Sequence, residues 1–154
     1  MKRRGGFCLL AMALVAAVSV CAAAESGHLA HVESSHSVEN TVERARRMIE
    51  SQGLRVFGVI DHQAAAKKVG ETMAPTRVVV FGNPKTGTQL MRENPLIALD
   101  LPMKLLVWED SNGVTWISYL RAGELARRHG FAAQDKRFTR IASVLKDFAR
   151  SAAR

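Results

Sequence analysis

The chain has 154 residues, 47% of them hydrophobic and 23% charged, and 22 Lys and Arg against 14 Asp and Glu give a formal charge of +8. That length allows one domain with a single core. Both cysteines, Cys8 and Cys21, lie near the N-terminus, so a disulfide-stapled scaffold and thiol chemistry are excluded once that segment is removed.

Removal is the expectation, because Lys2, Arg3 and Arg4 precede a nearly continuous apolar run from Phe7 to Val20, followed by Ala22 and Ala24 at the small-residue positions of a signal-peptidase site. Residues 1–24 therefore read as a signal peptide cut after Ala24. A lipoprotein cut before Cys21 is the alternative, disfavoured by Val20. The run is too short for a comfortable membrane span, so no transmembrane anchor is expected after cleavage. The expected location is periplasmic or secreted. Losing the three cations takes the charge from +8 to +5; residues 121–154 alone, with nine Lys or Arg against Glu124, Asp135 and Asp147, carry +6, and the chain between is close to neutral.

Residues 25–36 read as a polar, His-bearing flexible tail that contributes at most an edge strand around Leu29 to Val32. Its histidines, His28, His31 and His36, are candidate copper or zinc ligands. Cleavage after Ala24 leaves His28 fourth rather than third, which spoils an amino-terminal copper site. The single domain is expected over 37–154. Ser37 is a helix N-cap, and behind it Val38, Val42, Ala45 and Ile49 recur at helical spacing until Gly53. Leu54 to Ile60 is strand-like; Asp61 caps a short helix from His62 to Val69. A second apolar strand, Arg77 to Phe81, runs into Gly82-Asn83-Pro84-Lys85-Thr86-Gly87-Thr88.

That stretch has the glycine spacing of a nucleotide phosphate loop, but Lys85 sits inside it and not after Gly87. The economical reading is a helix start, with Asn83 as cap and Pro84 in the first position, repeated at Asn94-Pro95. An anion held at that helix N-terminus by Asn83, Lys85 and Thr86 remains the alternative. After a helix over Pro84 to Glu93 and a turn over Pro95 to Leu99, Met103 to Glu109 and Val114 to Leu120 form a hairpin, with Asn112-Gly113 expected to supply the positive φ angles of its turn. Helices follow from Arg121 to His129 and from Gln134 to Ser151. The last buries a stripe of Phe138, Ile141, Ala142, Leu145, Phe148 and Ala149. The expected fold class is α+β: an antiparallel-rich sheet of four to five strands with helices packed on one face.

The run Gly53-Leu54, Val56-Phe57, Ile60-Asp61-His62, Phe81-Gly82-Asn83-Pro84-Lys85, Gly87-Thr88, Leu90-Met91, Ala98 to Pro102, Lys104, Val107 to Asp110, Gly113 and Tyr119 resembles the bacterial and archaeal domain of unknown function 302 over about residues 35–130. The resemblance implies a compact α+β fold similar to the TATA-binding-protein-like class and a homodimer. It implies no activity. The His-bearing tail and the basic last helix depart from the family.

Two classes of function follow. The favoured one is a non-catalytic exported domain that binds a small ligand or a partner, with no cofactor, because no complete catalytic or metal constellation is readable. Its candidate cleft joins His62, Lys85, Lys104 and Trp108, since Lys104 shares a strand face with Leu106 and Trp108 where a core-facing row would be apolar. The alternative is a small enzyme using His62 or His129 with Lys104. The basic C-terminal region lacks interleaved aromatics, so nucleic acid is not expected, and an anionic envelope component is the charged partner considered.

Overall fold

A computed structural model of the chain describes residues 27–154. The expected signal peptide and both cysteines lie outside the described residues. Five strands, β1 (Leu29–Ser34), β2 (Arg55–Asp61), β3 (Thr76–Gly82), β4 (Met103–Glu109) and β5 (Thr115–Leu120), form one sheet in the order β1-β5-β4-β3-β2. Every neighbouring pair is antiparallel. Five α-helices accompany it: α1 (Val38–Ser51), α2 (His62–Lys68), α3 (Pro84–Glu93), α4 (Ala122–Arg128) and α5 (Lys136–Ala153), with a 3-10 turn at Pro95–Leu99. The fold is α+β, as the sequence predicts.

The local causes are those read from the residues. Ser37 accepts the Asn40 N–H to start α1, and Val38, Val42, Ala45 and Ile49 are all buried. Asn83 and Asn94 each accept an amide two residues on, from Lys85 and Leu96, ahead of a proline. Because β1 and β2 occupy opposite edges, α1 must cross the sheet between them. It packs on α5 and on the central strands, burying Val79, Leu105, Val107 and Ile117 beneath the helical layer. Phe81 meets Phe148 of α5 edge-on at 5.8 Å between centroids.

Two expectations are sharpened and two are corrected. Residues 29–34 of the expected tail form a full edge strand, paired from Leu29 opposite Leu120 to Ser34 opposite Thr115. In the β4–β5 turn only Gly113 takes a positive φ, at 76°, and Asn112 does not. Here Asp110 Oδ1 accepts the Asn112 and Val114 amides, and the Asp110 and Gly113 amides close the loop on backbone oxygens, so a second left-handed residue is unnecessary. Ala142 is exposed, whereas Ala152 and Ala153 are buried. The reason is at the C-terminal end of α5, where Ala153 O accepts from Ser35 and Arg44 donates to Ser151 and Ala152 carbonyls, tying that end to β1 and α1. Finally, β2 carries a register shift between Val56 and Gly58, which leaves Phe57 as the extra residue of a bulge.

Candidate functional site

Two surfaces stand out, and the alternation of the strands creates the first. Inward residues meet α1 and α5; the opposite set forms a second sheet face on which every residue apart from Ser118 retains solvent exposure. Across the strands this face carries Ile60, Val78 opposite Leu106, Leu106 opposite Ser118, and Trp108 opposite Trp116. The apolar character continues at the sheet edge and beyond, since Ile60 is 49% and Val69 75% exposed, and α2 buries none of its residues. In the middle of the face, Trp108 Nε1 donates to Ser118 Oγ at 2.8 Å and His31 Nδ1 lies 2.9 Å from the same oxygen. Lys104 sits at its rim, exposed, donating to Asp100 O at 3.1 Å.

The second surface is a half-open groove of about 690 Å³ at the other end of β3, between α3 and α5. Phe81 and Met103 contribute from the sheet, Leu90 and Met91 from α3, and Ile141 and Val144 from α5. Phe57 and Pro102 lie beside Gly82, where a Cβ would make ordinary contact with each at 3.7 Å. The β2 bulge is what supplies the extra aromatic at this end. Asn83, Lys85 and Thr86 all line the groove, with the Asn83 oxygen spent on the Lys85 amide. Arg137 joins the two walls, donating to Glu93 Oε2 of α3 at 2.8 Å and to Asp135 at 2.6 Å. The hydrogen bond from Arg137 holds Glu93 below the usual carboxylate range, and those that Arg137 donates to Glu93 and Asp135 raise it above its own.

The structure separates the residues expected to share one cleft. Lys85 lines the groove, while Lys104 and Trp108 belong to the sheet face and His62 opens α2, exposed. His129 is committed elsewhere: its Nε2 is 2.7 Å from Asp100 Oδ2, and its backbone oxygen accepts from Asn94. The three histidines in and around the first strand also have different surroundings. His28 pairs with Glu124 at 3.1 Å, His31 faces Ser118, and His36 Nε2 is buried without a partner. Among the described residues no three His, Cys, Asp or Glu side chains are grouped to hold a metal ion. Glu124, bonded to Arg127 and His28, is held down to about 2, with Arg127 the larger cause. Sequence reading did not assign Phe57, Pro102, Arg140 or Ile141 to a site, though all four line the groove; an aromatic beside Gly58 in an edge strand was the available signal.

Comparison with known proteins places this geometry. The family model "Domain of unknown function DUF302" matches residues 30–148. The chain belongs to the DUF302 family. A solved DUF302 structure, that of an uncharacterized conserved protein from Bacillus stearothermophilus, superposes with a TM-score of 0.73 at 22% identity, covering 82% of this chain and 98% of that one. At that identity the likeness is one of fold. In sequence, the DUF302 chain is similar to proteins named fluoride-specific ion channel FluC 1 in Brucella suis biovar 1 (strain 1330) and in Brucella abortus biovar 1 (strain 9-941), 45% identical over 101 residues in each. The match takes in 66% of this chain but 40% and 37% of those relatives, so the chain spans about two fifths of their length. Among the described residues no helix is long and apolar enough to cross a membrane.

Proposed function

We propose that this DUF302 chain is an exported, non-catalytic binding domain that works as a homodimer joined through the exposed face of its sheet. The observation that carries the reading is the row of Ile60, Val78, Leu106, Trp108 and Trp116 on a face left partly open to solvent. Contiguous apolar surface of this kind marks protein contact sites, and a flat sheet face can meet a second copy about a twofold axis. The non-catalytic half rests on the histidines. His129 is occupied by Asp100, and no hydroxyl of the described residues is hydrogen-bonded to it or to His62. The export half rests on the order of residues 1–24. Sedimentation equilibrium tests the assembly: a dimer is expected, with Leu106→Lys monomeric and natively folded by circular dichroism. A wild-type monomer at micromolar concentration, or a Leu106→Lys dimer, sinks the reading. N-terminal sequencing of protein from the cell envelope is expected to start at Glu25; Met1 retained in the cytoplasm removes the export half.

A second reading comes from the Brucella relatives. A channel must cross the membrane, yet the described residues, which include most of the similarity, contain no helix able to do so. On this reading the matched stretch is an accessory domain of those longer proteins, and the chain is a separate copy of it that docks on a fluoride channel. Co-purification of such a channel with the tagged chain, and slower fluoride efflux from cells lacking it, are the expected results; neither occurring removes the idea.

A further inference from the structure

The groove between α3 and α5 combines an apolar interior with a one-signed charge pattern. Its lining includes three cations, Lys85, Arg137 and Arg140, and no Asp or Glu. Arg137 is engaged by Glu93 and Asp135. Lys85 and Arg140 are exposed, and their side chains make no hydrogen bond or ion pair with the described residues. A volume of about 690 Å³ is within the range of small-molecule sites, which bury an apolar body and use a few polar groups to select it. Apolar walls favour removing hydrocarbon or aromatic surface from water whatever the head group. The cations then decide the head: in a partly enclosed, low-dielectric cleft an anion gains from them and a cation is repelled.

We propose that this groove binds a small amphipathic anion, its apolar body against Phe57, Pro102 and Ile141 and a single carboxylate or phosphate head at the cationic rim. The site is separate from the proposed sheet-face assembly, because its lining includes none of Ile60, Val78, Leu106, Trp108 and Trp116. Gly87 fits the role of an open wall position. A Cβ there would make only ordinary contacts, 3.8 Å to Met91 and 4.0 Å to Leu101, so a longer side chain at this point grows into the groove.

Titration calorimetry of the purified protein, with ligands held below their micelle concentrations, tests the proposal. The probes are dodecanoate, dodecyl phosphate, dodecanol and dodecyltrimethylammonium. One or both anions are expected to bind, with whichever is tighter naming the head group; dodecanol is weaker by roughly tenfold or more, and the cation does not bind. Lys85→Gln/Arg140→Gln, two surface changes, should bring the anions down to the affinity of dodecanol while leaving dodecanol unchanged. Gly87→Leu should weaken all ligands, and the double variant decides the matter should Gly87→Leu not fold. Leu106→Lys should bind as the wild type does, which separates this result from the assembly. Trp108 and Trp116 lie on the sheet face, so their fluorescence should stay constant during titration. Equal affinity for anionic and cationic amphiphiles, no binding of either anion, anion binding untouched by the double variant, or a tryptophan signal that tracks binding overturns the proposal.

Discussion

His129 Nε2 and Asp100 Oδ2 stand 2.7 Å apart, and this contact fastens the end of α4 to the turn that leads into β4. Arg128 reaches both oxygens of the same carboxylate, at 2.9 and 3.1 Å, and Asn94 Nδ2 holds the His129 carbonyl from the other side. A histidine so held, with 7% of its side chain exposed, is a structural clasp. Burial raises the Asp100 pKa, but the hydrogen bonds from His129 and Arg128 outweigh it and the net shift is downward. A depressed carboxylate contributes stability that is fully present above its unfolded pKa of about 3.9 and is lost as the pH falls through the lower folded value.

Asp100→Asn should therefore destabilise the domain by on the order of 1–3 kcal/mol at neutral pH, the range for hydrogen bonds to charged groups. The difference from wild type should shrink as the pH drops below about 4, where the unfolded wild-type chain takes up its proton. Urea melts at pH 7 and pH 3 measure both. Equal differences at the two values would show that the charge on Asp100 contributes nothing.

The parts of this architecture that sequence could reveal are those set by local period. Alternation alone puts Met103, Leu105 and Val107 on one side of β4 and Lys104, Leu106 and Trp108 on the other, and the structure buries the first set. Ser37, Asp61 and Asn83 announce their helices because a cap is a local hydrogen bond. The groove and the clasp had no such signal. Phe57 reaches Gly82 only because β2 and β3 pair with a bulge, and Asp100 meets His129 across 29 residues with no periodicity linking them. Alternation also does not say whether an apolar outward row will be covered by a helix, so Lys104 could be read as facing a cleft when it stands at the edge of an open face.

Ser118 is the polar centre of that face, 5% exposed and within hydrogen-bonding distance of both Trp108 Nε1 and His31 Nδ1. Ser118→Ala removes the shared oxygen and leaves the indole N–H without its acceptor. A loss of roughly 1–3 kcal/mol is expected, the cost of an unsatisfied buried group. Trp108 emission should shift at the same time, since its N–H partner is gone. Ser118→Thr, which keeps the oxygen, should recover most of the emission change.

Gly113 ends the β4–β5 turn at a φ of 76°, with open space where a Cβ would be placed. The penalty for Gly113→Ala is thus conformational and not steric crowding, about 1 kcal/mol for a left-handed backbone. Asn at this position tolerates that region better than Ala, so Gly113→Asn should cost less. Thermal melts of the two variants give the order directly, and an Ala variant as stable as wild type would show that the turn relaxes.

Phe81 of β3 and Phe148 of α5 hold the sheet to the helical layer, with 70° between their ring planes, and both are almost wholly buried. Each Phe→Ala change opens a cavity and should cost about 3–5 kcal/mol. Phe→Leu keeps most of the volume and isolates the ring–ring contact. A cycle of Phe81→Leu, Phe148→Leu and the double variant should return a coupling of about 0.5–1.5 kcal/mol, the range for an edge-to-face pair. Phe81 also lines the groove and Phe148 does not. Phe81→Leu should therefore change the affinity for dodecanoate where Phe148→Leu leaves it nearly constant. If the two variants altered binding equally, the effect would be one of general stability and the groove wall would not be the part that responds.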